Sequence, residues 1–148
     1  MNNRNTASLA DRLAGQTHNA VLLAGRLALG AIFVESGFGK LMNIAAFTAS
    51  LANRGVPGSS VLGVIGPLIE FFGGLMIVFG FGTRYAALLL ILFTLVATGI
   101  AHRFWDLAEA AQRAQEVHFF KNVAIIGGFL LLFVTGAGRF SLDRLLRK

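Results

Sequence analysis

The stretch VLGVIGPLIEFFGGLMIVFGFG, residues 61–82, decides the fold class, because Glu70 is its one ionisable residue and everything around it is apolar or small. A helix needs about 20 such residues to cross a hydrocarbon core roughly 30 Å thick, and this stretch supplies them. Three further stretches of the same character lie at 21–41, 85–104 and 119–138. Four crossings use up most of a 148-residue chain. The sequence therefore predicts one all-α domain over 1–148, an integral membrane four-helix bundle. Within it, a cytoplasmic segment 1–20 precedes the first span and a cytoplasmic basic tail 139–148 follows the last.

Composition agrees. The chain is 55% hydrophobic and 14% charged, whereas an ordinary soluble domain is about a quarter charged. Its 18 glycines suit a bilayer, where small residues let helix backbones approach and packing replaces the missing hydrophobic drive. With no cysteine, the chain itself offers no disulfide, iron–sulfur ligation or thiol catalysis. No small-residue cleavage site follows the first apolar run, so an uncleaved first helix is expected rather than a secretory signal.

The net charge of +6 does not form a continuous basic and aromatic surface, so no nucleic-acid partner is expected. Membrane orientation explains it better. Four crossings place both ends and the tight connection at 82–84 on one side, with Arg4, Arg12, Arg84, Arg139, Arg144, Arg147 and Lys148. The other two connections carry Arg54, Arg103 and Arg113, with Lys40 and Lys121 at the boundary. The positive-inside rule then predicts that both termini face the cytoplasm. In the first outer connection Asn43 is expected to cap a short interfacial helix with Ile44, Phe47 and Leu51 on one face, stopped by Gly55 and Pro57. In the second, Asp106 and Glu109 resemble a capping box opening a helix that runs directly into the last span.

Ionisable groups within a span cost about 3 kcal/mol on insertion scales, so each needs a partner or a function. Arg26 lies near the cytoplasmic end, where a long side chain reaches the interface; Glu35, nine residues on, falls on the opposite face. Glu70 shares a small-residue face with Gly66, Gly73 and Gly74. Thr94, Thr98 and His102 form a polar stripe at four-residue steps, and His118, Lys121 and Asn122 open the last span on one side. Lys121, unfavourable in a first turn, is expected to pair with Glu35 or Glu70. At 1.5 Å per residue, Glu35, Glu70, Thr98, His102, Lys121 and Asn122 fall within about 10 Å of the outer boundary or slightly deeper. That predicts a shared polar site in the outer half of the bundle. No phosphate loop, metal signature or nucleophilic triad accompanies it, and His102 and His118 show no face-to-face geometry suited to haem.

The sequence resembles the DoxX family of small four-helix bacterial membrane proteins. The resemblance rests on Arg26, Gly30, Phe33, Ser36, Gly37 and Lys40, on Glu70, Gly73, Gly74, Gly80, Thr83 and Arg84, on Phe120, Lys121, Asn122, Gly127 and Gly128, and on Gly136, Gly138, Ser141, Leu142 and Asp143. It implies a bacterial inner-membrane protein with a link to quinone-connected oxidation, including membrane subunits of thiosulfate:quinone oxidoreductase, or to oxidant and thiol stress. It carries over no established catalytic residue. Combined with the polar site, it leads to the expectation of a quinone-linked oxidoreductase subunit. Glu70 or Glu35 would move protons, and His102, Lys121, Asn122, Thr98 and Lys40 would hold a quinone, with neither haem nor an iron–sulfur cluster. A soluble or membrane redox protein would be its partner, and a homo-oligomer is a further expectation. The competing readings are a proton-coupled exporter of small molecules and a non-catalytic scaffold for a partner enzyme.

Overall fold

The computed structural model describes residues 8–146. Among them the elements are α1 (Leu9–Met42), α2 (Ile44–Asn53), α3 (Ser59–Phe79), α4 (Thr83–Ala101), a 3-10 turn (Phe104–Asp106), α5 (Glu109–Thr135) and α6 (Leu142–Leu145), with no strand. Four of the helices, α1, α3, α4 and α5, are long and apolar enough to cross a membrane. Only 17–33% of their most apolar windows is buried inside the protein. The outward remainder is far too large an apolar surface for water, and a bilayer covers it. This is an all-α membrane bundle.

Several boundaries differ from the sequence reading for local reasons. Helix α1 begins at Leu9 rather than at residue 21, because Ser8 and Asp11 form a reciprocal capping box: Asp11 N–H donates to Ser8 Oγ at 3.1 Å, and Ser8 N–H to Asp11 Oδ2 at 3.0 Å. Once nucleated, a helix propagates until something stops it, and nothing between Leu9 and Met42 does. Residues Arg4, Arg147 and Lys148 of the charge argument lie outside the described residues. Asn43 precedes α2 as expected, yet its side chain makes no capping bond. Asp106 is not a cap either; it pairs with Arg103 at 3.3 Å, and Ala108 occupies the position before α5. Helix α5 does run unbroken from the connection into the membrane. It ends at Thr135, where Gly136 takes a φ of +75°.

Packing is set by close glycine contacts. A Cβ at Gly74 would lie 2.9 Å from Val34 N and 3.0 Å from Gly30 O, and one at Gly37 would meet the Phe71 backbone. The α1–α3 crossing is the most extensive in the molecule, whereas α5 touches α1 only sparsely. Gly73, one residue from Gly74 and so on a neighbouring face, receives Leu90 of α4. Phe33 and Phe129 meet at 5.3 Å between ring centroids and close the core between α1 and α5.

The end of the bundle that carries both termini is locked by a second network. Asp143 accepts the N–H groups of Gly82 at 2.7 Å and Thr83 at 3.0 Å, and its own N–H donates to Gly80 O at 2.8 Å. Arg26 does not snorkel to the interface. It is only 1% exposed, donates from Nη2 to Phe140 O at 2.6 Å, packs its guanidinium against Gly80 and feels the charge of Asp143. The segment after α5 folds back over the helix end and encloses it.

Candidate functional site

The other end of the bundle, beneath α2 and beside the end of α4, holds a cavity of about 520 Å³ lined by α1 to α5. Its walls are mainly apolar, among them Phe33, Ile69, Phe93 and Ile125. Ile32, Leu62, Ile65, Leu89 and Leu92, which also line it, lie exposed on the lipid-facing surface, so the cavity opens laterally toward the bilayer.

Into this apolar space project Lys40 and Glu70. Lys40 Nζ and Glu70 Oε2 are 2.6 Å apart, with side-chain exposures of 31% and 7%. The ammonium also lies 5.3 Å from the centre of the Phe47 ring, contributed by α2. A carboxylate this buried is tolerable only with such a partner, because the low-dielectric surroundings that penalise a lone charge also strengthen the pair. Lys40 sits in the last turn of α1, where the helix dipole favours a cation.

A polar ladder follows on α4 and α5. Asn122 Nδ2 donates to Thr98 Oγ1 at 2.8 Å, while the hydroxyls of Thr98 and Thr94 donate to the carbonyls of Thr94 and Leu90, each at 2.6 Å. The threonines thus bond their own helix, and Thr98 still accepts from the cavity side. His102 Nδ1 lies 2.7 Å from Gln115 Oε1, which makes that nitrogen the donor. The His102 ring stacks on His118 at 5.2 Å and 24°, a face-to-face arrangement the sequence reading did not expect. Arg54, immediately after α2, donates to Ala101 O at 3.3 Å and borders the cavity.

The structure brings Glu70, Lys40, His102, Lys121 and Asn122 to one cavity, and Thr98 stands behind Asn122, whose amide N–H it accepts. It separates Glu35 from them. Glu35 is exposed and faces a shallow groove on the outer surface of α1 and α3, beside Leu27, Phe38 and Phe71, so it is withdrawn from the site. No ion pair joins Lys121 to Glu35 or Glu70 among the described residues; Lys121 is exposed and reaches His118 Nδ1 at 3.2 Å. The expected pairing fails because Glu70 is already held by Lys40. Gln115 and Arg54 were missed by sequence reasoning. For Lys40 a signal was present: Arg26, Gly30, Phe33, Gly37 and Lys40 follow one another at steps of four and three, and the first four are the buried residues of α1. Lys40 continues the face that meets α3.

Comparison with known proteins is consistent with this architecture. Residues 21–103 match the DoxX family. The chain is 38% identical to the inner membrane protein YphA of Escherichia coli (strain K12) over 88% of its own length and 93% of that protein. It is 40% identical to the inner membrane protein YqjF of the same organism over 86% and 92%. A surfeit locus protein 4 homolog of Schizosaccharomyces pombe is 31% identical over 71% of this chain and 35% of its own length. No solved structure matches the chain.

Proposed function

The chain belongs to the DoxX family of membrane proteins, and from that premise we propose that it is an inner-membrane subunit that binds a quinone in the cavity between its helices and exchanges protons with it through Glu70. The observation that carries this reading is the Lys40–Glu70 pair, 2.6 Å apart with its carboxylate buried, in an apolar cavity that opens toward lipid. A quinone is chemically matched to such a space. Its isoprenoid tail needs a lateral apolar opening, and its carbonyl oxygens need donors placed where negative charge develops during reduction.

Asn122 retains a second amide hydrogen beyond the one given to Thr98, and the Lys40 ammonium retains donors beyond the one given to Glu70. Both can face a carbonyl oxygen. Reduction of a quinone to a quinol takes up two electrons and two protons. A partner redox protein supplies the electrons, and Glu70, repeatedly reprotonated from water at the polar end of the cavity, passes the protons. His102, held by Gln115 and His118, lies at that end. In this reading the site faces away from the cytoplasm, since the terminal end carries Arg12, Arg84, Arg139 and Arg144.

An exporter of small cations is less well supported, because Lys40 already occupies the carboxylate that a cation would need. The test is mass spectrometry of molecules that copurify in mild detergent, with quinone titration followed by thermal unfolding. A recurring quinone, and a midpoint raised by added quinone in the native chain but not in Glu70→Gln, is expected. A chain that retains no quinone and does not respond to one is a scaffold, and the proposal is then wrong.

A further inference from the structure

A second cavity, of about 450 Å³, lies at the opposite end of the bundle, between the first turns of α4 and the segment that leaves α5. Its walls divide by chemistry. Arg84 and Arg144 form part of the lining, and the exposed side chains of Leu88 on α4 and Phe133 on α5 form another part. Asp143 also borders it, but that carboxylate already accepts two backbone N–H groups and lies in the field of the buried Arg26. Arg84 gives one N–H to Val134 O at 3.1 Å, and neither Arg84 nor Arg144 has an ion-pair partner among the described residues. Thr83 in the same wall has a buried hydroxyl with no hydrogen-bond partner.

We propose that this cavity binds an anionic phospholipid, its headgroup phosphate held by Arg84 and Arg144 and an acyl chain laid along Leu88 and Phe133. The guanidinium fork matches a phosphate diester in shape and charge, and two uncompensated forks ask for a headgroup with net negative charge. Depth agrees with this assignment. Thr83 is the first residue of α4 and Thr135 the last of α5, so the arginines stand where the helices leave the hydrocarbon, at headgroup level. Leu88 lies one helical turn deeper, where acyl chains begin. A free phosphate would satisfy the arginines and leave the apolar wall uncovered; a phospholipid covers both.

The experiment is native mass spectrometry of the full chain released from a non-ionic detergent, titrated with phosphatidylglycerol, with phosphatidylcholine of the same acyl chains, and with inorganic phosphate as competitor. Saturable phosphatidylglycerol binding that exceeds phosphatidylcholine is expected. The R84Q/R144Q double variant should lose about tenfold in phosphatidylglycerol affinity, the order set by removing two cations near an anionic headgroup, and R113Q near the start of α5, at the opposite end of the bundle, should lose none. If R84Q unsettles the α4–α5 contact, R144Q alone carries the test, because the Arg144 side chain makes no hydrogen bond among the described residues; it should lose about threefold to fivefold. Equal binding of both lipids, unchanged binding in R144Q, or full displacement by millimolar phosphate would overturn the proposal.

Discussion

Lys40 and Glu70, thirty positions apart in sequence, meet at 2.6 Å where the last turn of α1 crosses the middle of α3. The pair couples the helix crossing to the cavity, since both side chains line it. Breaking one partner leaves the other charge without compensation in a poorly solvated place. In a cycle of Lys40→Met, Glu70→Gln and the double variant, we expect the double loss to cost less than the two single losses added together. The coupling should be about 1–3 kcal/mol, read from unfolding in detergent. Additive losses would mean that the two groups do not sense each other.

Lys121 behaves differently. It is exposed and contacts His118, so Lys121→Met combined with Glu70→Gln should be additive to within about 0.5 kcal/mol. A coupling as large as that of Lys40 would return Lys121 to the ion-pair network.

Arg26 should be among the most costly single charges to remove. It is buried, holds Phe140 O and sits by Asp143, whereas a snorkelling arginine would cost little. Arg26→Met keeps much of the volume but removes the charged donor to Phe140 O and the positive charge near Asp143, so a loss of about 1.5–3 kcal/mol is expected. Limited proteolysis after residue 136 should accelerate with it. A variant as stable and protease-resistant as the parent would show that Arg26 does not hold the segment after α5 in place.

The α1–α3 crossing tolerates no extra atom at Gly74. A Cβ there meets Val34 N and Gly30 O at about 3 Å, both backbone, so the helices must separate and Gly74→Ala should destabilise by about 1–3 kcal/mol. At Gly99 a Cβ meets nothing within 4 Å, and Gly99→Ala should be neutral or slightly stabilising by helix propensity. Equal unfolding midpoints for the two variants would show that the crossing is not close-packed.

Both termini are expected on the cytoplasmic face. Cysteines introduced at Asn2 and Lys148 should resist an impermeant maleimide applied to intact cells with a permeabilised outer membrane, and should react after lysis. Labelling of either one before lysis reverses the topology.

The four spans and the family were legible in the sequence because both are one-dimensional. Hydropathy summed over about 20 residues reports a crossing whatever lies beside it, and the motif residues keep their order along the chain. Depth was readable too, at 1.5 Å per residue, which is why Glu70, Thr98, His102, Lys121 and Asn122 were grouped; all but Thr98 line one cavity, and Thr98 is bonded to Asn122 in its wall. Depth is one coordinate, however, and an ion pair also needs the rotation of each helix and its neighbour. Glu35 satisfies the depth and lies two residues from both Phe33 and Gly37, which puts it about 200° around α1 from the buried face and on the lipid side. Lys40 continues the buried face and so reaches Glu70 before Lys121 can. Arg26 lies near a membrane boundary in sequence, and only the fold-back of the segment after Gly136 encloses it, because a contact between residues 26 and 140 exists in the packed chain alone.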